Sequence, residues 1–322
     1  MSQSSAIEGI TSSLSDNKVH LLLAASGSVA TIKLPLIVKT LSERYSQPAQ
    51  GSSSQQQDSA HGGLSIRILL TPSAARFLDG QSAEQPRLQS LLDIPGVDGI
   101  HLDEDEWREP WKRGNAILHI ELRRWADMLV VAPLSANTMA KIVNGFADGI
   151  LTSVIRAWDA RGELDTDVVR GGGSSISSNG AVRGEEQQQQ ASRGPITRQR
   201  SSRKKRIIVA PAMNTAMWRH PVTAKQLRVL EEEWGVAGEK EAMNGGDRGQ
   251  TPSAGSRTDT EEADRNIARD GAKESEEQEN DGWFEVLRPQ HKILACGDIG
   301  DGAMMEWTEI VAIIEDRLGL SS

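Results

Sequence analysis

The chain has 322 residues, 37% of them hydrophobic, and 36 basic against 45 acidic side chains leave a formal charge of −9. That charge gives no reason to expect nucleic acid or an anionic membrane as a partner, and the one cysteine, Cys296, excludes a disulfide framework or a multi-cysteine metal site. No apolar run approaches the roughly 18 residues of a membrane span, and residues 1–16, expected to be disordered, carry neither the basic nor the apolar part of a signal peptide, so a cytoplasmic protein is expected.

In chain order, four short runs are apolar on both faces: "VHLLLAA" (19–25), "IRILLT" (66–71), "DMLVVAP" (127–133) and "RIIVAP" (206–211). Each leads into a helix-like segment, among them "GSVATIKLPLIVKTLSERY" after the first, "SANTMAKIVNGFADGILTSVIRAW" after the third and "PVTAKQLRVLEEEW" after the fourth. Buried parallel strands alternating with helices predict an α/β, doubly wound parallel sheet. A weaker strand, "WFEVL" (283–287), and a final helix, "WTEIVAIIEDRLGL", close the pattern.

Three low-complexity segments, near 46–64, 160–205 and 238–281, hold too little apolar surface to offset the entropy of ordering. They are read as disordered insertions in a single domain over 17–322, because the pieces between them complete one sheet only together. "RKKR" (203–206) flanks a strand and reads as a solvated charge run, with a nuclear localisation signal as the alternative.

Open parallel sheets bind ligands at the carboxyl ends of their strands. The first strand ends in "AASGSVATIK", where Gly27 permits a tight turn, Ser28 can cap, and the helix starting near Val29 aims free N–H groups outward. A phosphate suits that place, and so does an ordinary turn. The second strand ends with Thr71 and Ser73, and the third with Ser135, Asn137 and Thr138; each hydroxyl can also be a plain helix cap. Together these ends describe a floor for a large polar ligand with a phosphate arm.

"AASGSVA", "HIELRRWADMLVVAPLSANTMAKI", "VIRAWD", "VAPAMNTAMW" and "ILACGDIGDGAM" resemble, in that order, the phosphopantothenoylcysteine decarboxylases of the homo-oligomeric flavin-containing cysteine decarboxylase family. The likeness covers nearly all of the expected core, and the low-complexity segments resemble elaborations on fungal versions. It implies a flavodoxin-like or Rossmann-like fold and FMN as cofactor. Gly27, Ser28 and Val29 are implied to hold the flavin phosphate; Thr71, Ser73, Ser135, Ala136, Asn137, Thr138 and Ala212 are implied to line the flavin. His119 of "HIEL" matches the family's base, Asn214 and Met217 of "PAMNTAM" its substrate-binding residues, and Cys296 of "ACGD" its acid. The segment from Ala295 through Met304 is implied to cover the substrate.

The chemistry such a site performs explains its parts. An acylated cysteine cannot lose carbon dioxide until its thiol carbon becomes a thioaldehyde, which gives the electrons a place to go. FMN accepts the hydride while a base takes the thiol proton; reduced flavin then returns the hydride while an acid supplies a proton. The amide of Asn214 can clamp the carboxylate, with Met213 and Met217 either walling the substrate or filling core. The resemblance further implies a homotrimer with the histidine facing a neighbour's asparagine and cysteine, or a mixed assembly with paralogues. The rival expectation is a regulatory subunit that binds and inhibits a protein phosphatase. The presence of His119, Asn214 and Cys296 in one chain and an end at "LGLSS" without an acidic tail favour the enzyme, whereas the acidic segment near 238–281 keeps the second role open.

Overall fold

Strands that are apolar on both sides need helices on both sides, and the chain supplies them. The computed structural model describes residues 3–46, 63–164, 205–236, 282–293 and 299–320. Its strands are β1 (Val19–Ala25), β2 (Leu64–Leu70), β3 (Asp79–Ser82), β4 (Gln85–Arg87), β5 (Val97–His101), β6 (Met128–Leu134), β7 (Arg206–Pro211), β8 (Phe284–Val286), β9 (Gln290–Ile293) and β10 (Ile299–Ala303). Its helices are α1 (Gln3–Ser13), α2 (Leu34–Tyr45), α3 (Pro72–Ala75), α4 (Asp103–Glu106), α5 (Leu118–Trp125), α6 (Ala136–Val143), α7 (Ile150–Arg156), α8 (Thr215–Trp218) and α9 (Pro221–Arg228), followed by a last helix at Trp307–Leu318.

Six strands form one parallel sheet in the order β5-β2-β1-β6-β7-β8. Numbered among themselves, these strands run 3-2-1-4-5-6, the Rossmann order, whose switch point lies between β1 and β6. Leu21, Leu23, Ile66 and Ile68 turn to one face and meet Ile37 and Leu41 of α2 and Ile310 and Ile314 of the last helix. Leu22, Leu129, Val131 and Ile207 turn to the other and meet Leu122 and Trp125 of α5, Met139 of α6, Val154 of α7 and Leu227 of α9. This is the alternation that a pleated strand imposes. No helix among the described residues is long and apolar enough to cross a membrane.

Three expectations change. Residues 3–13, expected to be disordered, form α1, because Ile7, Ile10 and Leu14 recur at helical spacing and pack on the second face; Ile10 is fully buried. The Trp125 indole N–H donates to Ser13 Oγ at 3.0 Å and fastens the end of that helix. The single helix expected after the third strand is two, because the chain turns at Gly145, whose φ of +73° falls in the left-handed region. The "RKKR" run is half packed away: Lys205 Nζ donates to the carbonyls of Arg123 and Arg124, and Arg206 pairs with the buried Glu285. Its first two residues, and nearly all of the three low-complexity segments, lie outside the described residues.

Candidate active site

Three strands end in the same device. Thr71 after β2, Ser135 after β6 and Asn214 after β7 each accept, through a side-chain oxygen, the N–H three residues on: Ala74 at 3.3 Å, Thr138 at 3.3 Å and Met217 at 2.9 Å. Each therefore caps a helix that starts at the open edge of the sheet. Asn214 spends only its amide oxygen in this way. The side chain is exposed, and its NH2 group makes no hydrogen bond among the described residues.

The turn after β1 works differently. Ser28 has extended backbone, φ −140° and ψ 151°, and precedes a 3-10 turn at Val29–Lys33 without capping it, so its hydroxyl is not committed to the helix. Gly27 is glycine for a steric reason: a Cβ there would stand 2.4 Å from Ser73 Oγ and 2.7 Å from Ser73 Cβ. Ser26 Oγ donates to Pro133 O at 3.1 Å and accepts from the Ser135 N–H at 2.7 Å. These contacts draw the ends of β1, β2 and β6 together around the switch point.

A cleft of about 410 Å³ opens over them, lined by Thr71, Ser73, Asn137 and Thr138 of the expected set. Arg76, Lys141, Asp148 and Thr152, which sequence reasoning missed, line it as well. The hydrogen bond from Lys141 holds the Asp148 carboxyl below its ordinary range. Asp103 at the start of α4 accepts the Ile150 N–H at 2.9 Å, and Gly149 leaves the space its carboxylate needs. Ala212 is buried at the β7 end, where its N–H donates to Leu134 O at 2.9 Å.

The other described residues of the expected set do not line that cleft. Helix α5 leads into the start of β6, so its first turn, with His119, lies at the carboxyl edge of the parallel strands. His119 Nδ1 is 2.9 Å from Glu106 Oε1, with side-chain exposures of 21% and 5%. Met217 is 48% exposed beside Asn214, whereas Met213 belongs to the core beneath. Met304, expected to cover the substrate, is 4% exposed in the first core cluster, because it follows β10 inward toward the last helix. Ala295 and Cys296 lie outside the described residues. β10, which follows them, is seated on the Asn214 turn: Met213 N–H donates to Gly302 O at 3.0 Å, and Arg219 pairs with Asp301 at 2.7 Å.

A family model described as Flavoprotein matches residues 10–164 and 195–251. An Arabidopsis thaliana phosphopantothenoylcysteine decarboxylase is 34% identical over 215 residues, 67% of this chain and 68% of its own length. A Schizosaccharomyces pombe protein described as a probable thymidylate synthase is 31% identical over 307 residues, 95% of this chain and 30% of its own. The chain spans between 30% and 41% of the length of this and two Saccharomyces cerevisiae relatives. Among solved structures, a cysteine-to-serine mutant of PPC decarboxylase complexed with pantothenoylaminoethenethiol matches 95% of this chain and 100% of that chain, with 28% identity and a TM-score of 0.51.

These likenesses bear out the family resemblance and the sheet read from the sequence, and the cofactor they imply is FMN. The residues fit it. The uncommitted Ser28 hydroxyl and the side-chain-free Gly27 suit a phosphate, and the hydroxyls and amide of Thr71, Ser73, Asn137 and Thr138 line a cleft of the size that ring-bearing cofactors need. With a match over more than half of its length and a cleft to suit, the chain belongs to the flavoprotein family.

Proposed function

We propose that the chain decarboxylates 4'-phosphopantothenoylcysteine to 4'-phosphopantetheine in coenzyme A biosynthesis. The observation that carries this reading is the Asn214 turn: an exposed amide whose NH2 group makes no hydrogen bond among the described residues, an exposed Met217 beside it, and β10, the strand that follows Cys296 in the chain, packed on it. The NH2 group of Asn214 donates to the substrate carboxylate, and Met217 forms an apolar wall that keeps water from it. His119 takes the thiol proton, and Cys296 returns a proton to the carbon that loses carbon dioxide. Bound FMN supplies the hydride acceptor that makes the thiol carbon an electron sink, and afterwards the hydride donor. The assembly is a homotrimer in which His119 of one subunit serves Asn214 and Cys296 of the next.

Replacing the proton donor tests this assignment. Cys296→Ser should halt after decarboxylation, since a serine hydroxyl is a far weaker acid than a thiol of pKa about 8.5. The expected product, by mass spectrometry, is two hydrogens lighter than phosphopantetheine. That is an enethiol, the class of compound that the matched cysteine-to-serine mutant holds. Fully reduced product at the normal rate would exclude Cys296 as the donor. A second reading, phosphatase inhibition, is favoured by the acidic segment 238–281. Its assay is phosphatase activity titrated with the purified chain, and no inhibition at micromolar protein would remove it.

A further inference from the structure

Three carboxylates of the acidic run "DEDE" (103–106) have separate tasks. Asp103 accepts the Ile150 N–H and fixes α4 against α7, while Asp105 accepts the Leu102 N–H at 2.8 Å and pairs with Arg108. Glu106 turns inward. Its side chain is 5% exposed, and Oε1 accepts from both the ring and the backbone N–H of His119, at 2.9 and 3.4 Å.

We infer that Glu106 is the positioning residue that selects the tautomer of His119 and holds its ring for proton abstraction. This rests on the reading of His119 as the base. A carboxylate only accepts hydrogen bonds, so the nitrogen that faces it must carry the proton. Neutral His119 is thereby the Nδ1–H tautomer, and its lone pair lies on Nε2, at the ring edge away from Glu106. The second hydrogen bond, to the histidine's own backbone, ties the same oxygen to the first turn of α5 and fixes the direction of the ring. When Nε2 takes the thiol proton, the imidazolium charge forms beside a carboxylate already in place, so no group needs to move to receive it. A purely structural alternative exists, because an acid near the first turn of a helix also stabilises its dipole.

The two roles separate by experiment on the FMN-loaded enzyme. Glu106→Gln preserves size and removes the charge. It should lower kcat by roughly 100-fold, within the range that general-base catalysis contributes, with KM for phosphopantothenoylcysteine within about twofold and flavin content unchanged. Glu106→Asp, which keeps the charge at shorter reach, should recover part of kcat. Nitrogen NMR of His119 in the wild-type protein should show the Nδ1-protonated ring, a readout that helix stabilisation does not move and that needs no variant to fold. A wild-type kcat in Glu106→Gln alongside an inactive His119→Asn would overturn the inference and leave the base assignment standing. Full turnover in His119→Asn would remove the base assignment itself, and the inference with it. An Nε2-protonated ring in the wild type would overturn the inference alone.

Discussion

Gly27→Ala places a methyl group 2.4 Å from Ser73 Oγ and 2.7 Å from Ser73 Cβ. Carbon atoms pack comfortably at about 3.5 to 4.0 Å, so the β1 turn and α3 must separate by roughly 1 Å. Rotating the Ser73 hydroxyl away relieves the first contact. The second stands on a Cβ that rotation cannot move, so an overpacking cost of about 1 to 3 kcal/mol remains. Because Gly27 and Ser73 come from two of the strand ends that frame the cleft, the same displacement should weaken FMN at least 10-fold, which is about 1.4 kcal/mol. The assay is FMN titration by flavin fluorescence together with a thermal melt of the flavin-free protein. Ser73→Gly removes both crowding atoms and should restore binding when combined with Gly27→Ala, whereas Ser73→Ala, which removes only the hydroxyl, should not. Wild-type binding and melting in Gly27→Ala, or full rescue by Ser73→Ala, would refute the steric account of this turn.

His101, 3% exposed at the end of β5, is held neutral to a pKa of about 3 by burial and by the neighbouring Arg67. Protonation thus favours the unfolded chain: the stability is whole above the ordinary value of 6.5 and falls as pH drops toward about 3, by roughly 3 kcal/mol at about pH 4. Denaturant melts of the wild type should show this slope and His101→Gln should flatten it; parallel slopes would sink the assignment. Asn214→Asp should keep its helix cap, which needs only an oxygen, and retain FMN, yet raise KM 10-fold or more, since a second carboxylate repels the substrate's own. An unchanged KM would show that the amide does not touch the carboxylate. Deleting about 165–202 or about 240–280 should leave turnover and flavin content near wild type, because neither range contains a residue assigned to the site and loop length costs little. Loss of flavin on either deletion would give those segments a structural part.

Sequence patterning revealed the centre of this sheet better than its margins. β1 and β7 begin and end where their apolar runs do, because buried central strands have no polar face to blur the limits. β5, "VDGIH", escaped notice because it is an edge strand whose inner residues include Asp98 and Gly99. α1 was hidden by serines, although Ile7, Ile10 and Leu14 supply a sufficient stripe. The strand-end hydroxyls were legible because an open parallel sheet puts its ligand there. Thr71 and Ser135 are helix caps, and Ser73 and Thr138 line the cleft, so the two readings of such residues hold together. Methionine is ambiguous by nature: nothing in the string separates the exposed Met217 from the buried Met213 and Met304. Glu106 was out of reach because its meaning depends on meeting His119, thirteen residues on, across two short helices.

The central claim is decarboxylation with no net redox change, and one measurement reaches it most directly. Purified, FMN-loaded protein is given phosphopantothenoylcysteine labelled in the cysteine carboxyl carbon, without added oxidant or reductant, and released carbon dioxide is counted against phosphopantetheine formed. The account predicts one labelled carbon dioxide for each phosphopantetheine over many turnovers, with the flavin spectrum oxidised at the end. A protein that holds FMN yet releases no label would contradict it.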